Sequence, residues 1–134
     1  MLIGSRTQKG AVLVEFVLVS SLLMLLLLST CEVGIILNAR IVLTSAAREG
    51  ARRAAVEGGS TEKVLEKIRE EIRFGFMDPD AATVSVTPKR ASYGTYITVQ
   101  IDYQYPMVTP FVREIVGTHL PLRATAISRS EKVQ

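Results

Sequence analysis

The feature that most constrains this chain is an apolar run longer than a small soluble domain can bury. No charged residue occurs from Phe16 to Cys31, and residues 11–14 are apolar as well, so 11–31 reads as one helix with a single ionisable side chain, Glu15. At about 1.5 Å per residue this stretch rises about 31 Å, the thickness of the hydrocarbon core of a bilayer. The globular part of the 134-residue chain is therefore small. Sixteen Lys and Arg residues stand against thirteen Asp and Glu, a formal net charge of +3, and the two signs are interleaved. That distribution argues against nucleic acid as a partner. Positive residues flank the span on both sides, Arg6 and Lys9 before it and Arg40, Arg48, Arg52 and Arg53 after it, so the charge rule for orientation does not decide the topology.

The inventory for catalysis is thin. Cys31 is the one cysteine and His119 the one histidine, which removes a disulfide framework, a multi-cysteine metal site and any familiar nucleophile–base pair. Asp78, Asp80 and Asp102 lack calcium-loop spacing. The expectation is a protein that is not an enzyme and holds no cofactor.

Three segments organise the chain. Residues 1–10 form a short polar leader. Residues 11–57 form one long helix, membrane-spanning to about residue 31, since 33–56 contains no proline and Gly58-Gly59 follows. The distal half of that helix carries two ribbons of small residues at four-residue spacing, Ala46, Gly50, Ala54, Gly58 and Ala47, Ala51, Ala55, Gly59, a pattern that lets another backbone come close or that simply favours helix. Residues 58–134 form a small domain. Ser60 is placed as the N-cap of a second helix whose apolar stripe is Val64 or Leu65, Ile68, Ile72 and Phe76. Val84 and Val86 alternate with polar residues. Stronger alternation at 96–105 sets Ile97, Val99, Ile101, Tyr103 and Tyr105 against Thr98, Gln100, Asp102 and Gln104. A last strand is expected at about 120–128, and one helical turn at about 111–116. The fold class is α+β: a long N-terminal transmembrane helix continues into a small domain with a second helix and a three-stranded antiparallel sheet. Of the four tyrosines, an exposed subset could serve adhesion or subunit contact.

The informative string is Lys9-Gly10-Ala11-Val12-Leu13-Val14-Glu15-Phe16. An unpaired carboxylate one turn inside an apolar span costs several kcal/mol, so an intramembrane Glu is functional by default and needs a positive partner. If the chain is cut after Gly10, Ala11 gains a charged α-amine and Glu15 becomes the fifth mature residue.

Here the sequence resembles the type IV prepilins, whose signature is a short basic leader ending in Gly, a cut before an apolar helix and Glu at the fifth mature position. Gly10, Ala11 and Glu15 match it, with Phe16 where the tight-adherence (Tad) pilins commonly carry an aromatic. The block Ala46-Ala47-Arg48-Glu49-Gly50-Ala51-Arg52 is similar to the one that follows the transmembrane helix in TadE-like proteins, and 124–131 is similar to their C-terminal strand. The resemblance, to the TadE and TadF group, implies a minor pilin or pseudopilin of the Flp/Tad type IV pilus. It implies processing by a prepilin peptidase at Gly10 and Ala11, and assembly roles for Glu15 and Phe16. Its partners would be other Tad pilins, the inner-membrane assembly platform and the membrane, with the C-terminal domain outside the cytoplasm. Two other readings stay open at this point: an uncleaved single-span anchor, and a lipoprotein lipidated at Cys31, where Leu28-Ser29-Thr30-Cys31 approximates a lipobox.

Overall fold

A computed structural model describes residues 4–132, with side chains from Lys9 onward; leader residues 1–3, the side chain of Arg6 and residues 133–134 lie outside the described part. Helix α1 (Gly4–Glu57) is 54 residues long, or about 80 Å. It stops where the backbone turns left-handed, at Gly58 (φ 77°) and Gly59 (φ 129°). The large apolar side chains from Val12 to Leu28 are exposed except half-buried Leu25, so the described part of the chain does not cover this half of the helix, which has the length and composition to cross a membrane. Beyond it the pattern changes. Buried positions Glu32, Ala39, Leu43, Ala46, Ala47, Gly50, Ala51 and Ala54 recur mostly three or four residues apart, with Ile36 half-buried among them, and this stripe faces the domain.

After α1 the chain forms α2 (Glu62–Phe74), a single 3₁₀ turn (Pro79–Ala81), β1 (Ala82–Thr87), β2 (Tyr96–Pro106), α3 (Pro110–Val116) and β3 (His119–Arg129). The sheet is antiparallel with order β1-β2-β3, and its registers run from Ala82 opposite Tyr103 and from Tyr96 opposite Arg129. The expected α+β layout is the observed one. Alternation in β2 puts Ile97, Val99, Ile101, Tyr103 and Tyr105 in the core, joined by Val86 of β1 and by Leu122 and Ala124 of β3. Helix α1 covers that face, packing on β2 and β3, and α2 packs against α1 and adds Val64, Ile68 and Ile72 to the same core. Small residues on β3, Ala124 and Ala126, lie in the same cluster as the alanines of α1, so helix and strand approach closely.

Two boundaries of α2 differ from the sequence expectation. Ser60 does not cap it: its N–H is donated to the Lys89 carbonyl at 2.9 Å, and Thr61 takes the N-cap position without a side-chain hydrogen bond. Phe76 is not part of the buried stripe. The helix ends at Phe74 because the backbone wraps up there. Met77 N–H reaches the Ile72 carbonyl (3.2 Å) and Phe76 N–H the Arg73 carbonyl (3.0 Å), the Schellman arrangement, with Phe76 itself at φ 58°. Gly75 lies hard against Val42 of α1, where a β-carbon would collide.

A left-handed conformation costs a non-glycine residue about 1–2 kcal/mol, and Phe76 is fully exposed, so its ring supplies no packing in return. Phe76→Gly should raise domain stability by about 0.5–1 kcal/mol, the gain being reduced by the greater freedom of glycine in the unfolded chain. Denaturant titration of the full chain in micelles, followed by the near-ultraviolet signal of buried Tyr103 and Tyr105, reads this directly. A loss of stability would show that the ring packs against something in the intact protein.

Candidate functional site

The residues singled out at the N-terminus lie on consecutive turns of α1. Gly10, Ala11, Glu15 and Phe16 are all exposed, and a β-carbon at Gly10 would meet nothing within 4 Å. The helix therefore places the Gly10–Ala11 bond in an open position, with Glu15 one turn further along. None of the ion pairs among the described residues includes Glu15. Cys31 is exposed near the upper end of the apolar segment, within the same unbroken helix. A cut before it would separate span from domain.

The block at 46–52 splits between two surfaces. Ala46, Ala47, Gly50 and Ala51 are buried, while Arg48 and Arg52 point to solvent. Glu49 accepts hydrogen bonds from Arg52 Nη2 (2.7 Å) and Nε (3.0 Å). That guanidinium draws the Glu49 carboxyl below its usual range against the opposing effect of burial. The close approach that the small ribbons permit is made within the chain: a β-carbon on Gly50 would lie 2.5 Å from Ile68 of α2 and 3.6 Å from Val99 of β2. Tyrosines divide in the same way, Tyr103 and Tyr105 buried, Tyr93 and Tyr96 exposed.

One side chain with a decisive place was not singled out from sequence. Glu32 directly follows the 11–31 segment, is only 3% exposed, and is the lowest member of the buried stripe of α1. Its Oε1 accepts the Val108 N–H (2.7 Å) and its Oε2 the Thr109 N–H (3.0 Å), tying the loop between β2 and α3 to the point where α1 leaves its apolar half. Arg113 donates through Nη2 to the Met107 carbonyl at 3.3 Å and braces the same loop. Burial pushes the Glu32 carboxyl up, but the bonds from Thr109 and Val108 and the charge of Arg113 outweigh it and hold the group below the ordinary glutamate value of 4.5. Burial, with Glu32 beside it, pushes the Tyr105 hydroxyl up. The signal in the sequence is a lone acid set between two apolar runs, 16–31 and 33–37, but its partners lie 76 and 77 residues away.

The open Gly10–Ala11 bond, the exposed Glu15, the buried small-residue face and the loop tied to Glu32 thus all depend on one helix, and that helix is what the comparison recognises. Residues 10–52 match the family described as TadE-like protein. Comparison with curated proteins and with solved structures finds no match. The TadE-like segment starts at the glycine of the candidate cut and ends within the Ala-Arg-Glu-Gly-Ala-Arg block, so it takes in Glu15, Phe16 and Glu32 and stops short of α2 and the sheet. The match over residues 10–52 points to a Tad-associated protein, and the long apolar helix has the length and composition to cross a membrane, in keeping with it.

Removing the Glu32 carboxylate leaves two loop amides without an acceptor, which typically costs about 1–3 kcal/mol. Glu32→Ala should destabilise the domain by that amount in micelle denaturation. The pH dependence has a definite sign. Because its folded value lies below its unfolded one, the contribution of Glu32 is complete above the ordinary carboxylate range and is lost as pH falls through the lowered folded value. The difference in stability between the wild type and Glu32→Gln should therefore shrink on acidification below pH 4.5. A difference independent of pH would mean that the carboxylate charge contributes nothing.

Proposed function

We propose that this chain is a minor pilin or pseudopilin of a Tad-type (Flp) type IV pilus, matured by a prepilin peptidase after Gly10 and acting in pilus assembly. The observation that carries the reading is the coincidence of three boundaries: the apolar span, the TadE-like match and the candidate cut all begin at residues 10–11. Cleavage there creates a positive amine at Ala11. Glu15 then lies about 6 Å along the helix, at a depth where an unpaired carboxylate is costly. The amine of a neighbouring subunit is the natural counter-charge, with Phe16 packing beside it.

Above the span, Leu37 and Ile41 stay exposed on the face of α1 turned away from the domain, an apolar surface outside the membrane of the kind that packing between subunit helices would cover. The peptidase, the other Tad pilins, the inner-membrane platform and the membrane are the partners of this reading. The domain lies outside the cytoplasm, and exposed Tyr93 and Tyr96 at its far end are the residues to consider for contact or adhesion. No catalytic step and no cofactor enters the proposed role.

Glu15→Ala separates processing from assembly. The cut bond is four peptide bonds away, so leader removal on a gel should be near normal. Joining with the other pilins should fall, because deleting one partner of a buried ion pair strands the other at a cost of about 3–5 kcal/mol. Co-purification of the cleaved Glu15→Ala chain with its partners at wild-type yield would rule out the charge-pair mechanism.

A further inference from the structure

The link joining β2 to β3 lies at the end of the domain nearest the apolar half of α1 and exposes large apolar side chains where a hairpin end is ordinarily polar. Two tethers fix its direction. At the far end of the domain Glu131 N–H bonds the Ala55 carbonyl, and Ser130 N–H bonds the Thr95 carbonyl just before β2. At the near end Val108 and Thr109, just after β2, bond Glu32. Ala55 and Glu32 are about 35 Å apart along α1, so β2 descends the helix towards the bilayer and β3 climbs back. The link at the bottom is closed by Met107 N–H to the Thr118 carbonyl at 3.1 Å, and it contains α3.

Helical spacing gathers Phe111, Val112, Ile115 and Val116 on one side of α3, with Arg113 and Glu114 on the other. Val112 turns partly inward onto the core, whereas Val108, Phe111, Ile115 and Val116 are 49–70% exposed. Val108 is bonded directly to Glu32, the first residue past the apolar span, and α3 begins two residues further on. The headgroup zone extends about 5–7 Å beyond each edge of the hydrocarbon core, and amphipathic helices lie in it with their apolar faces turned to the acyl boundary.

We propose that α3 and Val108 are an interfacial membrane foot: the apolar face seats in the outer boundary of the leaflet from which α1 emerges, and Glu32 locks the foot to the helix. The occupant is lipid at the headgroup–acyl boundary. Continuity with the span selects it, because the same carboxylate that ends the span holds the foot. The consequence is positional, since a helix anchored at one further point beside its exit holds the domain at a fixed tilt and height on the bilayer. The inference rests on 11–31 crossing the membrane.

The chain contains no tryptophan, so single substitutions report single sites. Phe111→Trp, and in parallel Ile115→Trp, would be reconstituted as the full chain in phosphatidylcholine vesicles whose acyl chains are brominated either near the carbonyl or near the methyl end. Phe16→Trp reports the span and Tyr93→Trp the far end of the domain. Both α3 probes should emit to the blue of Tyr93→Trp and lose emission chiefly to the carbonyl-end bromines, unchanged by dilution of protein in lipid. Retention of the tyrosine near-ultraviolet signal shows that each variant is folded. If the α3 probes match Tyr93→Trp while Phe16→Trp is quenched, the foot is wrong and the span stands. If Phe16→Trp also escapes quenching, the membrane reading falls with it. A blue shift that grows with protein density and resists bromine would mean that a second copy covers the face, and would overturn the proposal.

Discussion

Everything above the membrane hangs on the contact between one stripe of α1 and the domain folded against it. An α-helix of this length has no tertiary support over its apolar half, and its upper half acquires support only because Ala39, Leu43, Ala46, Ala47, Gly50, Ala51 and Ala54 present a narrow, nearly flat face. Small side chains bury little area each, at about 25 cal/mol per Å², so the energy comes from what they admit: Ile68, Val99 and the rest of the core pressing onto the helix backbone. The face that looks suited to a second subunit is filled by the chain's own α2 and sheet. Contacts between copies would then have to use other surfaces, such as the Leu37 and Ile41 side or the apolar span itself.

The same contact converts a span into a lever. Because α1 runs without a break from the candidate cleavage bond through the apolar segment and into the domain, Glu15 is joined to the sheet by a single continuous helix. Glu32 sits at the transition. Below it the helix is largely exposed; above it one side belongs to the domain. A carboxylate at that point is compatible with both environments only because two amides and the nearby Arg113 satisfy it.

Much of this was legible in the sequence, for reasons that differ between elements. The alternation of β2 is a strict period of two with apolar residues on one face, a pattern that other structures do not satisfy, and all five predicted inward residues are buried. The stripe of α2 was equally plain at Val64, Ile68 and Ile72, but its ends were not. Thr61 takes the cap because the first helical amides, Val64 and Leu65 N–H, bond its carbonyl, while Ser60 is drawn to Lys89, 29 positions later; Phe76 leaves the stripe because the helix closes in a left-handed turn beside the contact of Gly75 with Val42 on a different helix. Such contacts are tertiary and leave no local mark. The small-residue ribbons signalled close approach without naming the partner. Glu32 was passed over because an acid at the end of a span looks like ordinary interfacial polarity until its distant amides are in view. Of the N-terminal residues, Gly10, Ala11, Glu15 and Phe16 were read as a motif, and the structure adds their exposure and their shared helix.

The central claim is that the helix begins its working life at Ala11. Intact-mass and N-terminal peptide mass spectrometry on membrane-extracted protein, from cells with and without an active prepilin peptidase, tests it most directly. The account predicts a mature chain starting at Ala11, possessing the new amine, only where the peptidase is active. An intact leader in the presence of the peptidase, or a lipid-modified chain starting at Cys31, would contradict it.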